Sequence, residues 1–254
     1  MKIKFIQMNT WGNGGIFEKA LDFLVQERPD IACLQEVHDG HDPSFDLGFR
    51  GLDLLKANLD LPNYHYAPAF YEKRYYNQKI IQGTAIFSRW PIMNSKVTFI
   101  NRAFEDFDGL EGPKDFFNLP RAIQEVKIQA EDKILNVFNT HGIWGEDGKD
   151  NPERLKFSQA VIDQVRGKDK IILSGDFNVN EGTRSISMID EVLNNVFKED
   201  KRKSSFNMKR KTDPGYGTAV VDFIFTSHDI KVLSHKMPQV DVTDHLPLIA
   251  ELEI

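Results

Sequence analysis

The chain has 254 residues, of which 41% are hydrophobic and 28% charged, with a formal net charge of −6 and one cysteine. A chain of this length and composition builds a sizeable core without disulfides. The single cysteine excludes an intrachain disulfide framework and any multi-cysteine zinc site, and the negative balance argues against binding duplex DNA with the whole surface.

KIKFIQM near the N-terminus alternates lysine or glutamine with apolar residues and predicts a strand. No long apolar segment follows its lysines, which argues against a signal peptide. GIFEKALDFLVQERP has apolar residues at helical spacing and stops at Pro29, so it predicts a helix. DIACLQE is a short apolar run of strand length, and its Cys33 reads as a small buried hydrophobe. RGLDLLKANLD predicts a second helix, and HYAPAF, IIQGTAIFS and IMNSKVTFI predict strands between polar or proline breaks.

Residues 101–120 form a long loop broken by glycine and proline. RAIQEVKIQ and KILNVFNTH flank a turn and predict a hairpin. NPERLKFSQAVIDQVRG predicts a helix, KIILSGD a strand, and residues 183–197 a mainly helical stretch. After a polar segment, AVVDFIF, IKVLSHK and LPLIAELEI predict three more strands. The order begins βαβ and then shifts to adjacent strands, which implies mixed sheets packed face to face with helices outside. No tandem repeat or Gly/Ser linker appears, so residues 1–254 read as one domain. No run of about 18 apolar residues occurs, so no membrane span is expected. A reducing, cytoplasmic setting follows, and no obligate protein partner is evident.

Several apolar runs end in chemically capable side chains: Asn9, Glu36, His141, the pair Asp176 and Asn178, Asp222, and the pair Asp244 and His245. Any one of these has an ordinary structural explanation as a turn, cap or surface residue. Recurring at successive strand ends, they point to one rim, where α/β proteins place their sites. Glu36 and Asp244 are hard oxygen donors suited to Mg²⁺ or Mn²⁺; Asn9 adds a neutral amide oxygen or holds a ligand. No His or Cys spacing favours zinc. Such an ion would polarise a phosphoryl group, and Asp222 would fix the tautomer of His245.

MNTW, CLQEV, GTAIFSRWPI, NTHG, SGDFNVN, VDFIF and TDHLPL span almost the whole chain. In these pieces, and in their order, the sequence resembles the endonuclease/exonuclease/phosphatase superfamily, the DNase I-like fold. The resemblance implies a four-layer α/β/β/α sandwich of two mixed, mainly antiparallel sheets and Mg²⁺-dependent hydrolysis of a phosphoester. It implies that Glu36 is the principal metal ligand, with Asn9 and Asp244 nearby. Asp176 and Asn178 would orient the attacking water and the phosphoryl group. His245, oriented by Asp222, would be the general base or a phosphate donor, and His141 the second catalytic histidine. A tyrosine stands at the His141 position in abasic-site endonucleases, so this chain lies nearer the DNase, sphingomyelinase and nocturnin-like branches. Gln82 occupies about the place from which a carboxylate supports that histidine in DNase-like members. Thr243 replaces a serine common in relatives.

The loops bear on the substrate. Arg121 begins a strand and could reach a phosphate, or form a surface ion pair. YEKRYYNQK, residues 71–79, mixes cations with tyrosines in a way that suits phosphate and base contacts. Residues 198–211 carry seven basic and two acidic side chains, as a phosphate-contacting loop or a solvated charge run would. Against nucleic acid, the 101–120 loop carries five acids with only Arg102 and Lys114. Its Phe104, Phe107, Phe116 and Phe117 anchor the loop or face an apolar substrate group. The reading that follows is a phosphodiesterase or nuclease cutting DNA or RNA. The alternatives are an enzyme acting on a small nucleotide, inositol phosphate or phospholipid head group, or a catalytically silent binding module on the same fold.

Overall fold

The computed structural model describes residues 1–72, 80–104 and 113–254, with the backbone alone for 113–115. Residues 73–79, most of the basic and aromatic stretch, and residues 105–112, Phe107 included, lie outside the described residues.

In chain order the elements are β1 (Lys2–Asn9), α1 (Phe17–Glu27), β2 (Ile31–Asp39), α2 (Gly51–Asn58), β3 (Asn63–Glu72), β4 (Ile80–Ser88) and β5 (Ile92–Phe99). There follow β6 (Ala122–Ala130), β7 (Lys133–His141), α3 (Pro152–Val165), β8 (Ile171–Asp176), α4 (Arg184–Asp190), β9 (Asn194–Asn195), β10 (Asp222–Thr226), β11 (Lys231–Lys236) and β12 (Leu248–Glu253). They form two six-stranded sheets, ordered β11-β12-β1-β2-β4-β3 and β5-β6-β7-β8-β10-β9. Each sheet has one parallel pair, β1 with β2 and β7 with β8, and its other pairings are antiparallel. Each parallel pair is joined through a helix, α1 or α3, as a parallel crossover requires.

Side chains alternate across each strand, so one strand feeds two cores. In β1, Ile3 and Phe5 enter the layer between the sheets, with Cys33, Ile86, Val137, Ile172 and Ile224. Ile6 and Met8 point the other way and pack under α1 and α2, against Phe17, Ala20, Phe23, Leu24, Leu52 and Leu55. On the far side, Phe138, Leu173, Phe223 and Phe225 meet Phe157, Val161, Ile186 and Ile189 of α3 and α4. The result is a helix–sheet–sheet–helix sandwich. Burying each such side chain contributes roughly 1.5–3 kcal/mol, which makes the three apolar layers the main source of stability.

Local signals explain the helix limits. Asn151 caps α3 by accepting from Arg154 N–H, and Pro152 takes the first helical position. Arg28 ends α1 in the left-handed region just before Pro29. The helix expected through most of 183–197 stops at Asp190, and Asn194–Asn195 becomes an edge strand on β10. Asn195 Oδ1 accepts from Phe197 N–H at 3.0 Å, the local side-chain bond by which asparagine competes with a helix. Among the described residues, no helix is long and apolar enough to cross a membrane.

Candidate active site

At one end of the sandwich the layer between the sheets turns from apolar to polar. Along the inward faces, Phe5 is followed by Gln7 and Asn9, and Cys33 by Gln35. Val137 is followed by Asn139 and His141, Ile172 by Ser174 and Asp176, and Ile224 is preceded by Asp222. Register brings the ends together: Asp176 stands opposite both His141 and Asp222. Asp244 and His245 join them from the segment before β12.

Glu36 reaches the site because the ladder between β2 and β4 slips between Leu34 and Val37, and Glu36 adopts a φ of 56°. Such a bulge re-aims a side chain that a regular strand would send elsewhere. Asn9 Nδ2 donates to Glu36 Oε1 and to Asp176 Oδ2, each at 3.1 Å. Asn9 Oδ1 accepts from Trp11 N–H at 3.0 Å, which fixes the orientation of the amide. Asn9 thus holds Glu36 through its Nδ2, while its Oδ1 accepts one hydrogen bond.

The two oxygens of Asp176 have different tasks. Oδ1 accepts from the backbone N–H of Asn178 at 2.9 Å and closes the turn. Oδ2 lies 3.6 Å from His141 Nε2 and 3.7 Å from His245 Nε2. Gly175 belongs to β8, and a Cβ there would come within 2.1 Å of the Thr140 carbonyl oxygen. Asn178 has a φ of 55° and donates through Nδ2 to the Gly142 carbonyl at 3.3 Å. His245 Nδ1 lies 2.8 Å from Asp222 Oδ2, and Asp222 Oδ1 accepts from Gln7 Nε2 at 2.9 Å.

Burial and crowding of like charges set the electrostatics. Burial, and then Asp222 against the relief given by His245, pushes the Asp176 carboxyl up to about 7. Glu36 is raised by burial and by Asp244. Burial pulls His245 down, but Asp222, Asp176 and Asp244 outweigh it and hold the imidazole at about 10. His141 is pushed well below its ordinary value by burial and by Arg121 and His245. At neutral pH the site thus pairs an imidazolium, His245, with a neutral imidazole, His141.

Within this site, two donor sets among the described residues could hold a cation; a third group, Asp39, His41 and Asp53, lies outside it. Asp176, Asp222 and His245 each place one ligand atom within 4.8 Å of the others. In this trio Asp222 Oδ2 and His245 Nδ1 hold each other, and Asp222 Oδ1 is held by Gln7 Nε2. Glu36 and Asp244 are the second set: neighbouring hard oxygen donors, with the charge of Asp244 adding to burial in raising Glu36 and one Glu36 oxygen lacking a hydrogen-bond partner among the described residues.

Gln82 does not support His141 as expected. Its amide nitrogen lies 3.3 Å from His38 Nε2, because the side chain points across β4 to β2; both Gln82 and His141 line a narrow recess with Arg121. Arg121 is buried rather than paired at the surface, its Nε has no hydrogen-bond partner among the described residues, and burial lowers it to about 10 against the pull of Asp176 and Glu36. A groove of about 980 Å³ contains Lys201, Lys203 and Lys209, which have no ion-pair partner among the described residues. Its lining includes Leu246 and Phe206, whose ring is 4.4 Å from that of His245.

Three contributors escape the sequence reading. Arg154, 2% exposed, donates to the carbonyls of Ile143, Gly145, Lys149 and Asn178 and ties the loop after His141 to the Asp176 turn. Gln7 fixes Asp222, and the signal for it was a polar side chain at an inward position of a strand. Lys211 Nζ lies 3.0 Å from Asp244 Oδ2 and was submerged in a basic run.

No curated protein sequence gives a significant match. The chain resembles an endonuclease/exonuclease/phosphatase from Beutenbergia cavernae DSM 12333 at 16% identity and TM-score 0.75, covering 100% of this chain and 72% of that one. It resembles a mannosyl-6-phosphatase of Bacteroides thetaiotaomicron VPI-5482 at 18% identity and TM-score 0.68, covering 99% and 100%. It resembles the catalytic domain of human Nocturnin at 16% identity and TM-score 0.69, covering 99% and 94%. Identities this low carry the fold alone. The sequence profile of the Endonuclease/Exonuclease/phosphatase family, however, matches residues 6–245, so the chain belongs to that family of phosphoester hydrolases.

Proposed function

We propose that this protein is a divalent-cation-dependent phosphodiesterase that cuts DNA or RNA. The observation that carries the chemistry is the convergence of His141 and His245 on one oxygen of Asp176, beside Glu36 and Asp244. Glu36 and Asp244 would hold Mg²⁺ or Mn²⁺, with Asn9 orienting Glu36; the ion, when bound, supplies charge neutralisation to the phosphoryl oxygens.

The chain's own groups divide the remaining work. Asp176, a carboxyl near 7, accepts a proton from the attacking water at neutral pH. His245, charged and held by Asp222, donates through Nε2 to a phosphoryl oxygen and is a poor general base. His141 is a neutral donor beside the same oxygen of Asp176. Asn178 has a second amide N–H for the oxygen on which charge builds, a contribution of the oxyanion-hole type. The unpaired lysines of the neighbouring groove favour a polyanionic substrate. A second reading, a phosphorylated sugar or nucleotide, is favoured by Arg121 in the narrow recess beside His141, its buried Nε without a hydrogen-bond partner among the described residues.

The test is a panel of single-stranded and duplex DNA, RNA, nucleotides, sugar phosphates, inositol phosphates and an aryl phosphodiester, each with Mg²⁺, Mn²⁺ or chelator. Cleavage of nucleic acid, abolished in Asp176→Asn and His245→Ala with the fold intact, is expected. Hydrolysis of a small monoester beside intact DNA and RNA would favour the second reading. No turnover of any ester with either ion would leave a silent binding module.

A further inference from the structure

Asp244, 3% exposed, has Oδ2 3.0 Å from Lys211 Nζ, while its Oδ1 lies 3.3 Å from Thr243 Oγ1, whose one proton goes to Asn9 O at 2.9 Å. Any cation drawn to Asp244 and Glu36 therefore meets an ammonium already at the site. Lys211 is not a wandering surface lysine. Its backbone N–H donates to Asn207 O at 3.0 Å, and Asn207 N–H donates to Asp244 O at 2.8 Å. Asn207 Nδ2 also donates to Thr243 O at 2.8 Å. Arg210 grips Asp241 with two bonds of 2.7 Å. The 207–211 turn is thus stapled to the segment that carries Asp244, and Lys211 Nζ also stands 5.3 Å from the centre of the Tyr216 ring.

We propose that Lys211 is a tethered counter-cation of the metal site, a positioning residue that holds Asp244 in the ion-free protein and competes with the divalent ion for it. The proposal rests on the assignment of Glu36 and Asp244 as the ion's ligands. An exposed lysine–carboxylate pair would have little influence. Here the carboxylate is buried and a second acid, Glu36, shares its surroundings, so the ammonium offsets a repulsion that water does not screen. A divalent ion performs the same service with twice the charge. Its arrival must loosen the Lys211 contact, and the observed affinity is reduced by what that contact contributes.

The experiment is Mn²⁺ binding, measured by calorimetry on the full chain, for wild type, Lys211→Met, Lys211→Arg and Glu36→Gln. Removing the competitor should tighten Mn²⁺ binding by about fivefold or more, the lower end of ordinary coupling between sites. Lys211→Arg keeps the charge and should stay within about twofold of wild type, well under that coupling. Thermal melting gives a second readout: Mn²⁺ should raise the Tm of Lys211→Met more than that of wild type. A purely structural lysine would give the opposite sign, weaker ion binding on removal. Unchanged or weaker Mn²⁺ binding by a folded Lys211→Met, with binding still lost in Glu36→Gln, would overturn this proposal alone. Binding that ignores Glu36→Gln would overturn the ligand assignment and this proposal with it.

Discussion

His245 Nδ1 lies 2.8 Å from Asp222 Oδ2, and both residues are buried. A buried carboxylate without a partner is costly, so the pair stands or falls together. The imidazole is held at about 10, above its ordinary 6.5. A group raised on folding stabilises fully below its unfolded value, and that contribution is lost as pH rises through the folded value. In chelator, the Tm of wild type should therefore decline between pH about 6.5 and about 10. His245→Gln should melt lower at neutral pH and show a flatter profile over the same window. Parallel profiles for the two proteins would refute the buried ion pair.

Arg154 ties the loop after His141 to the turn that carries Asn178. Its guanidinium serves four backbone carbonyls, from Ile143, Gly145, Lys149 and Asn178. Lysine has no planar fork and cannot reproduce that set. Arg154→Lys should destabilise the protein by about 1–3 kcal/mol, the range for leaving buried acceptors unpaired. It should also lower kcat more than it raises KM, because Asn178 is displaced while the substrate grooves stay intact. Denaturant unfolding and steady-state kinetics on the same preparation would check both. A stable variant with normal kcat would show that the turn holds itself.

The strands that carry the site were legible because β-periodicity is a short-range signal, and each ended in a polar residue. Asp222 was legible for the same reason, as a carboxylate inside VVDFIF. Arg154 was not, because an arginine in the first turn of an amphipathic helix ordinarily faces water; only the fold wraps a carbonyl-rich loop around it. Gly175 stands beside the turn in SGDFNVN, yet the constraint on it is the close approach of Thr140 on the neighbouring strand, a tertiary fact. The partner of Gln82 was misread for a related reason. Sequence places it on β4, but whether its amide meets His141 or His38 depends on cross-strand neighbours.

Glu36 occupies the left-handed region at a φ of 56°, where a side chain with a Cβ is strained. Glycine adopts that conformation freely, whereas alanine does not. Glu36→Gly should therefore be more stable than Glu36→Ala by about 1 kcal/mol, reversing the usual order of these residues in a strand. Both variants should lose Mn²⁺ binding. Equal stability of the two, measured by urea unfolding, would show that the bulge stores no strain.

Behind Asp222, a chain of buried amides crosses the layer between the sheets. Gln7 Nε2 donates to Asp222 Oδ1 and to Gln35 Oε1, Gln35 Nε2 donates to Asn139 Oδ1, and Asn139 Nδ2 reaches Gln124 Oε1. Gln35→Leu removes the middle link, leaving one N–H of Gln7 and the oxygen of Asn139 unpaired, at about 1–3 kcal/mol for each group. Gln7→Leu removes the donor to Asp222 itself. The two should cost similar stability and differ in activity: Gln7→Leu frees the carboxylate that orients His245, while Gln35→Leu leaves that bond in place. In a double-mutant cycle the combined variant should lose less stability than the sum of the singles by about 1 kcal/mol, because the orphaned pair is then removed together. Additive losses with equal kcat would mean that the amide chain is packing and nothing more. Coupled losses, with the kcat defect confined to Gln7→Leu, would place the orientation of His245 one residue deeper than its carboxylate.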